Sequence, residues 1–401
     1  MYADDITVYF DMTTIINKGN QLRMAIGILN SFYNVSGLKI NTTKCKCIWF
    51  GSSGNSDEIL CPDLNLEWGN TFTVLGIDFD CKLVNMHQNF KKKLKDIKKL
   101  YESWMYRNLS PLGKVTVVKS LALSKLTHVV LVAPHAQESM LKELTKESYK
   151  FVWSSKPDRI KRKVAVLPVK EGGLNMPDIT SFWNSLKVSW ARRLGYSNAA
   201  WKIILENDLI NNNSSLEKIW YLGTEELQKL AGRMNNHFWN EVFTSFSKTL
   251  KAFAFSNPEN VFFQNLFGNF LILKGGHPLK RSNFNMLTTK NILQVGDLFN
   301  FGMERLFTLD EFREMYDVEI DFLTFESLKR SVKAALQKIG SPSLDYQDCL
   351  IPRQPILLKL FGSSKKGCGK VYQILMANLI YKVLSWVDGC SNTNTSTSIS
   401  V

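Results

Sequence analysis

Between Met86 and Lys170 the chain carries 19 Lys and Arg against 6 Asp and Glu, a net +13 out of a formal +14 for all 401 residues. So one-sided a stretch folds only if its cations reach water, because like charges a helical turn apart repel. The apolar residues are spaced to allow that. Phe90, Leu94, Ile97, Tyr101 and Trp104 step by three or four, which predicts a helix with one buried stripe. Lys91, Lys92, Lys93, Lys95, Lys98 and Lys99 then fan over its solvent side. Ser110-Pro111 is a helix start, with Ser as N-cap and Pro in the first turn. That helix is predicted to run to about Val132, ahead of Pro134, and is apolar on most faces, hence buried. A third helix is expected over Glu138 to Trp153, with Leu141, Leu144, Tyr149 and Val152 inward. The loop that follows places Arg159, Lys161, Arg162 and Lys163 within five positions. Lysine-rich helices are often no more than solvated faces. The one-sided balance points instead to a polyanionic partner, of which nucleic acid is the commonest.

Around this stretch the chain divides by composition into four parts, 1–84, 85–197, 198–390 and a Ser/Thr/Asn-rich tail, 391–401, expected to be disordered. The first part reads as strand, helix, strand, strand, so the whole is predicted to be an α+β chain with mainly helical later parts. Lys18 to Val35 has the helical period, with Leu22, Ala25/Ile26, Leu29 and Tyr33 inward, and Ser36-Gly37 ends it. Lys44 to Phe50 and Phe72 to Phe79 read as strands, Gly51 to Asp57 as a loop. Beyond the basic loop, Val164 to Val169 reads as a strand and Glu171 to Asp178 as a tight turn. A helix from Ile179 to Leu194 should bury Phe182, Leu186 and Trp190 and show Lys187, Arg192 and Arg193. Asn211 to Ser215 reads as a linker or loop tip, and no catalytic constellation is visible after Asn198.

Seven scattered cysteines, Cys45, Cys47, Cys61, Cys81, Cys349, Cys368 and Cys390, form neither a disulfide framework nor a zinc-binding pattern. A reducing, intracellular compartment follows, nucleus or cytoplasm being left open. No signal peptide is legible, and the longest apolar run, Leu121 to Pro134, is interrupted by Lys125 and His128, so no membrane partner is expected.

At the front, Tyr2-Ala3-Asp4-Asp5 leads into Ile6-Thr7-Val8-Tyr9-Phe10, where apolar residues alternate as on a half-buried strand. Adjacent carboxylates with no Lys or Arg within ten residues suit a hard divalent cation, because Mg²⁺ takes oxygen ligands. On these residues alone, an exposed Asp-Asp turn is the other reading.

The ordered set of motifs over residues 2–194 resembles the reverse transcriptases of LINE-type, non-LTR retrotransposons. Tyr2-Ala3-Asp4-Asp5 is similar to their catalytic hairpin, and Ser36 to Asn41 with Lys44 to the palm element after it. Val74-Leu75-Gly76-Ile77 is similar to the primer-grip hairpin. Leu109 to Lys114, Phe151-Val152-Trp153 and Gly172 to Asp178 resemble the thumb and the segment beyond it. Beyond residue 200 the likeness is thin.

The resemblance implies RNA-directed DNA synthesis with two metal ions, Mg²⁺ or Mn²⁺, roughly 3.5–4 Å apart. Asp4 would be the principal ligand and Asp5 its assistant. Tyr2, Ala3, Leu75 and Gly76 would lie near the primer, and Lys44 near the incoming dNTP. An RNA template and DNA primer would be held by Lys91, Lys92, Lys95, Lys98, Lys99, Lys114, Arg159, Lys161, Arg162 and Lys163 through phosphates. Residues 1–84 would be part of the palm and 85–197 the thumb. The family's third carboxylate lies on an earlier strand, and only three residues precede Asp4. The expectation is therefore a C-terminal polymerase fragment, inactive or nearly so alone. A non-catalytic nucleic-acid-binding module derived from the thumb is the alternative, and a poorly folding relic a third.

Overall fold

The structure is a computed structural model. It describes residues 7–8, 18–49, 59–134, 138–196, 199–256, 261–303, 305–339, 369–377 and 379. Helices dominate and the strands are few and short, a mixed α+β chain. The chain forms two compact units, Met1–Asp96 and Ile97–Val401.

The first unit opens on helix α1, Lys18–Ser36. Gly37 terminates it at φ +73, its N–H reaching the Tyr33 carbonyl at 2.8 Å. Of the expected inward face only Leu22 is buried, in a small core with Trp49, Leu60 and Cys61. Met24, Ile28, Phe32 and Val35, on the helix's other side, are exposed. Arg23 fastens α1 by a two-pronged bond to Asp63 at 2.5 and 2.6 Å. Strand β1 spans only Lys46–Cys47, pairs in parallel with β2, Glu67–Trp68, and follows a helical turn over Thr42–Lys44. The predicted strand from Lys44 is thus shortened at its start, because Cys45 N–H turns back to Thr42 O.

The single strand read over Phe72 to Phe79 is a hairpin. Strands β3, Thr71–Val74, and β4, Ile77–Asp80, pair antiparallel around Leu75-Gly76. Both turn residues have positive φ, +50 and +75, the geometry that matches the twist of tight hairpins.

Helix α2, His87–Met105, begins in the first unit and ends in the second. Helix α3 runs over Pro111–Val132, and Ser110 caps it by accepting the Gly113 N–H at 3.2 Å. Its middle, Val118–Ala122, is a π-helical stretch. By length and mean hydropathy (1.6) α3 is a candidate membrane span. In the fold it supplies core: Val115, Val118, Ala122, Leu126, Val129 and Val130 are all buried. Helix α4, Glu138–Val152, packs Phe151 flat on Tyr101, ring centroids 4.6 Å apart.

The predicted strand Val164 to Val169 is not one. Arg162–Ala165 forms a helical turn, α5, and a further turn covers Val169–Glu171. A short apolar run between turn signals does not distinguish strand from buried turn by periodicity. Here local bonds, Ala165 N–H to Lys161 O and Leu167 N–H to Val164 O, closed it. Helix α6, Ile179–Tyr196, then packs with α7, Trp201–Asn211, α9, Thr224–Arg233, and α10, His237–Ser256, around one apolar core. Asn211 to Ser215 is the turn from α7 into the four-residue helix α8, Leu216–Ile219, closed by Asn213 N–H on Ile210 O. A second core gathers the β5–β6 hairpin (Leu273–Lys274 with His277–Pro278), β7–β8 (Phe299–Asn300 with Arg305–Leu306) and three helices. These are α11, Asn285–Thr289, α12, Leu309–Tyr316, and α13, Phe322–Ile339.

Candidate nucleic-acid interface

Tyr2, Ala3, Asp4 and Asp5 lie outside the described residues, as do the Gly51 to Asp57 loop and the 391–401 tail. Lys44 is exposed at the end of its helical turn. Leu75 and Gly76 form the tip of the β3–β4 hairpin. A leucine at φ +50 is strained by about 1–2 kcal/mol, since its Cβ crowds the following carbonyl.

The hairpin is fixed to the start of α2 by one buried amide. Asn89 accepts the Asp78 N–H on Oδ1 and donates from Nδ2 to the Asp78 carbonyl, both at 2.8 Å. The Asp78 carboxylate takes a bond from Lys92 and one from Thr73 Oγ1 at 2.7 Å, and these hold its pKa below the usual range. Phe72 stacks on Phe79 across the ladder at 5.3 Å. Asn89 escaped the sequence reading; its signal was a polar residue interrupting the apolar edge of a lysine-rich helix.

At about 100° per residue, Lys91, Lys92, Lys95, Lys98 and Lys99 fall within about a third of the circumference of α2, beside the apolar stripe. Lys91, Lys92, Lys95 and Lys99 are exposed and Lys98 is partly so. Lys98 is paired with Glu143 at 2.5 Å and Lys92 with Asp78. Lys91, Lys95 and Lys99 have no ion pair among the described residues.

In the loop before α5 and in α5 itself, Arg159, Lys161, Arg162 and Lys163 are all exposed. Arg162 bonds Asp158 at 2.8 Å and lies 4.7 Å over the Tyr149 ring, so one cation of the four also props the loop. Burial pushes the Tyr149 hydroxyl up to about 12. Lys114 does not join this surface. Its side chain is buried at 3% exposure, with Nζ on Ser154 Oγ at 2.6 Å and 5.4 Å over the Phe151 ring. Desolvation lowers its pKa. It sits in the first turn of α3, on the face turned to α4, which the proximity of Ser110-Pro111 alone did not reveal.

Lys187, read as exposed, is wholly buried. Its ammonium meets Glu241 at 2.8 Å, the Ala133 carbonyl at 2.9 Å and the Phe238 ring at 4.5 Å. Trp190, one turn on, donates to the Leu131 carbonyl at 2.8 Å. Two side chains of α6 thereby cap carbonyls at the end of α3, groups a helix leaves unsatisfied. Arg193 is exposed as expected and lies 4.4 Å over the Trp190 ring. Beside it, Trp190, Trp201, Phe238 and Trp239 pack edge-on and stacked at 5.3–6.2 Å.

The four described cysteines are free thiols, and burial raises the pKa of Cys45 and Cys47. Among the described residues no group of three or more His, Cys, Asp or Glu is placed to hold a metal. No protein-family model matches the chain.

Proposed function

We propose that this chain handles the template–primer in an RNA-directed DNA polymerase of the non-LTR retrotransposon type. The exposed lysine arc of α2 carries the reading. Three of its cations are unpaired with any described carboxylate, and such charges bind a phosphate backbone without reading its bases. The β3–β4 hairpin, with Leu75-Gly76 at its tip, supports the primer side of the proposal by its resemblance to a primer grip. In this reading residues 1–84 are palm and 85–197 thumb, with Asp4 and Asp5 as the hard oxygen donors for Mg²⁺ or Mn²⁺. When bound, such ions would activate the primer hydroxyl and steady the leaving pyrophosphate. Lys44 would approach the dNTP.

Affinity for an RNA–DNA hybrid should fall steeply with salt, by about 0.9 log units per phosphate contact for each decade. Lys91→Ala, Lys95→Ala and Lys99→Ala together should weaken binding at least tenfold and flatten that slope by about 3. Fluorescence anisotropy reads both. Salt-independent binding, or a triple variant that binds as the parent does, would refute the surface.

The metal assignment has its own measurement. Free Mn²⁺ observed by electron paramagnetic resonance should be depleted by the chain with hybrid bound, and Asp4→Asn with Asp5→Asn should restore the signal. Depletion that survives the double substitution would remove the metal role from this pair.

A further inference from the structure

The second unit contains an open cavity of about 800 Å³, walled by α8 and α9 on one side and by the segment from Arg281 to Asp297 on the other. Four cations line it: Lys218 from α8, Lys229 and Arg233 one turn apart on α9, and Arg281 from the facing wall. Its two carboxylates are turned to internal work. Glu226 accepts Arg281 Nε at 2.9 Å and the Gly223 N–H at 3.0 Å. Asp297 accepts the N–H groups of Leu293 and Gln294 at 2.8 and 2.9 Å. Arg281 also donates to the Tyr221 carbonyl, so its guanidinium is held in place. Lys229 shares Glu225 at 2.6 Å. Lys218 and Arg233 stand exposed at the rim, with no carboxylate partner among the described residues.

The walls are set by close backbone contact between the unit's two cores. An added Cβ at Gly223 would lie 2.0 Å from the Phe267 carbonyl oxygen, and Glu225 N–H reaches Gly268 O at 2.7 Å. The cleft therefore exists before any ligand arrives. A metal ion would need carboxylates that are not already committed. An apolar ligand would not be met by four cations. The volume falls in the range of about 300–1,000 Å³ that takes a nucleotide-sized group, too small for a duplex. Asn213 and Asn291 add amides of the kind that pair with base edges.

We propose that this cleft binds single-stranded nucleic acid, taking one splayed nucleotide between its walls with the flanking phosphates on Lys218 and Arg233. The site is separate from the lysine arc of α2 and does not depend on the polymerase reading.

A fluorescein-labelled RNA decamer tests it by anisotropy, with the RNA–DNA hybrid measured in parallel. Lys218→Ala with Arg233→Ala should weaken decamer binding about tenfold and flatten its salt slope by about 1.4, two single-strand contacts at about 0.7 each. Hybrid affinity should stay within twofold of the parent, which also reports an intact fold. Lys218→Arg with Arg233→Lys should bind as the parent. The proposal is overturned if the decamer does not bind, if the alanine variant binds it as the parent does, or if both ligands weaken equally. Capture of a free nucleoside monophosphate as tightly as the decamer would overturn it too, since the flanking phosphates would then contribute nothing.

Discussion

Replacing Lys187 with Ala is expected to cost about 3–5 kcal/mol of folding stability, the range for breaking a buried ion pair from one side. The ammonium is 0% exposed and bridges three elements: α6 that carries it, the Ala133 carbonyl after α3, and Glu241 on α10. Its loss leaves the half-buried Glu241 carboxylate without this cation and the Ala133 carbonyl without its donor. Lys187→Met separates packing from charge, because it keeps the volume and the aliphatic stem. It should recover part of the loss and no more. Denaturant titration reads both, the midpoint moving with the slope unchanged.

The same residue fixes a sign in the pH dependence. Burial depresses the folded-state pKa of Lys187, with Glu241 acting in the opposite direction. The folded protein thus gives up this proton before the unfolded chain does, whose lysines titrate near 10.4. Stability from this group rises with pH from the depressed value to about 10.4 and is lost as pH falls back through it. Buried tyrosines act the other way: Tyr149 and Tyr372 are each raised to about 12, so their contribution falls once the unfolded tyrosines ionise near 10. The difference between parent and Lys187→Met isolates the lysine. A difference that is flat with pH across the alkaline range would show that the group does not titrate differently on folding.

The contrast between Lys187 and Lys91 marks where sequence reasoning ends. Helices between residues 86 and 194 were legible because each carries its own apolar stripe, cap or terminating proline, all local signals. Lys91 and Lys187 occupy similar places in such patterns. What separates them is Glu241, Ala133 and Phe238, brought together by tertiary packing that no helical period encodes. Lys114 is misread for the same reason: its acceptor, Ser154, follows a different helix. The strands were poorly legible because β1–β2 and β7–β8 pair only two residues each. Ladders so short are fixed by their surroundings rather than by alternation. The Asp pair lies outside the described residues, and its reading rests on the order of motifs alone.

Gly173→Ala is expected to destabilise the chain by about 3 kcal/mol or more. An added Cβ would stand 2.0 Å from the Leu167 carbonyl oxygen, 2.5 Å from its carbon and 2.7 Å from the Leu167 Cβ. Backbone cannot yield there, because the chain after Gly173 is bonded to the same strip. Leu174 and Met176 N–H groups reach Ala165 O at 3.1 and 2.9 Å, and Asn175 N–H reaches Leu167 O at 2.8 Å. Gly172 is the control. It has φ +78 but open space around its missing Cβ, so Gly172→Ala should cost only the left-handed penalty of about 1–2 kcal/mol. The same strip supports the basic loop, since α5 continues from Arg162 directly into Ala165 and Tyr149 Oη donates to the Arg162 carbonyl at 3.2 Å. Under the proposed function, Gly173→Ala should also weaken hybrid binding several-fold at temperatures where the protein remains folded, while Gly172→Ala leaves it unchanged. Thermal unfolding and anisotropy on the two variants decide it: equal costs for both would mean that the close approach at Leu167 is not what requires glycine at position 173.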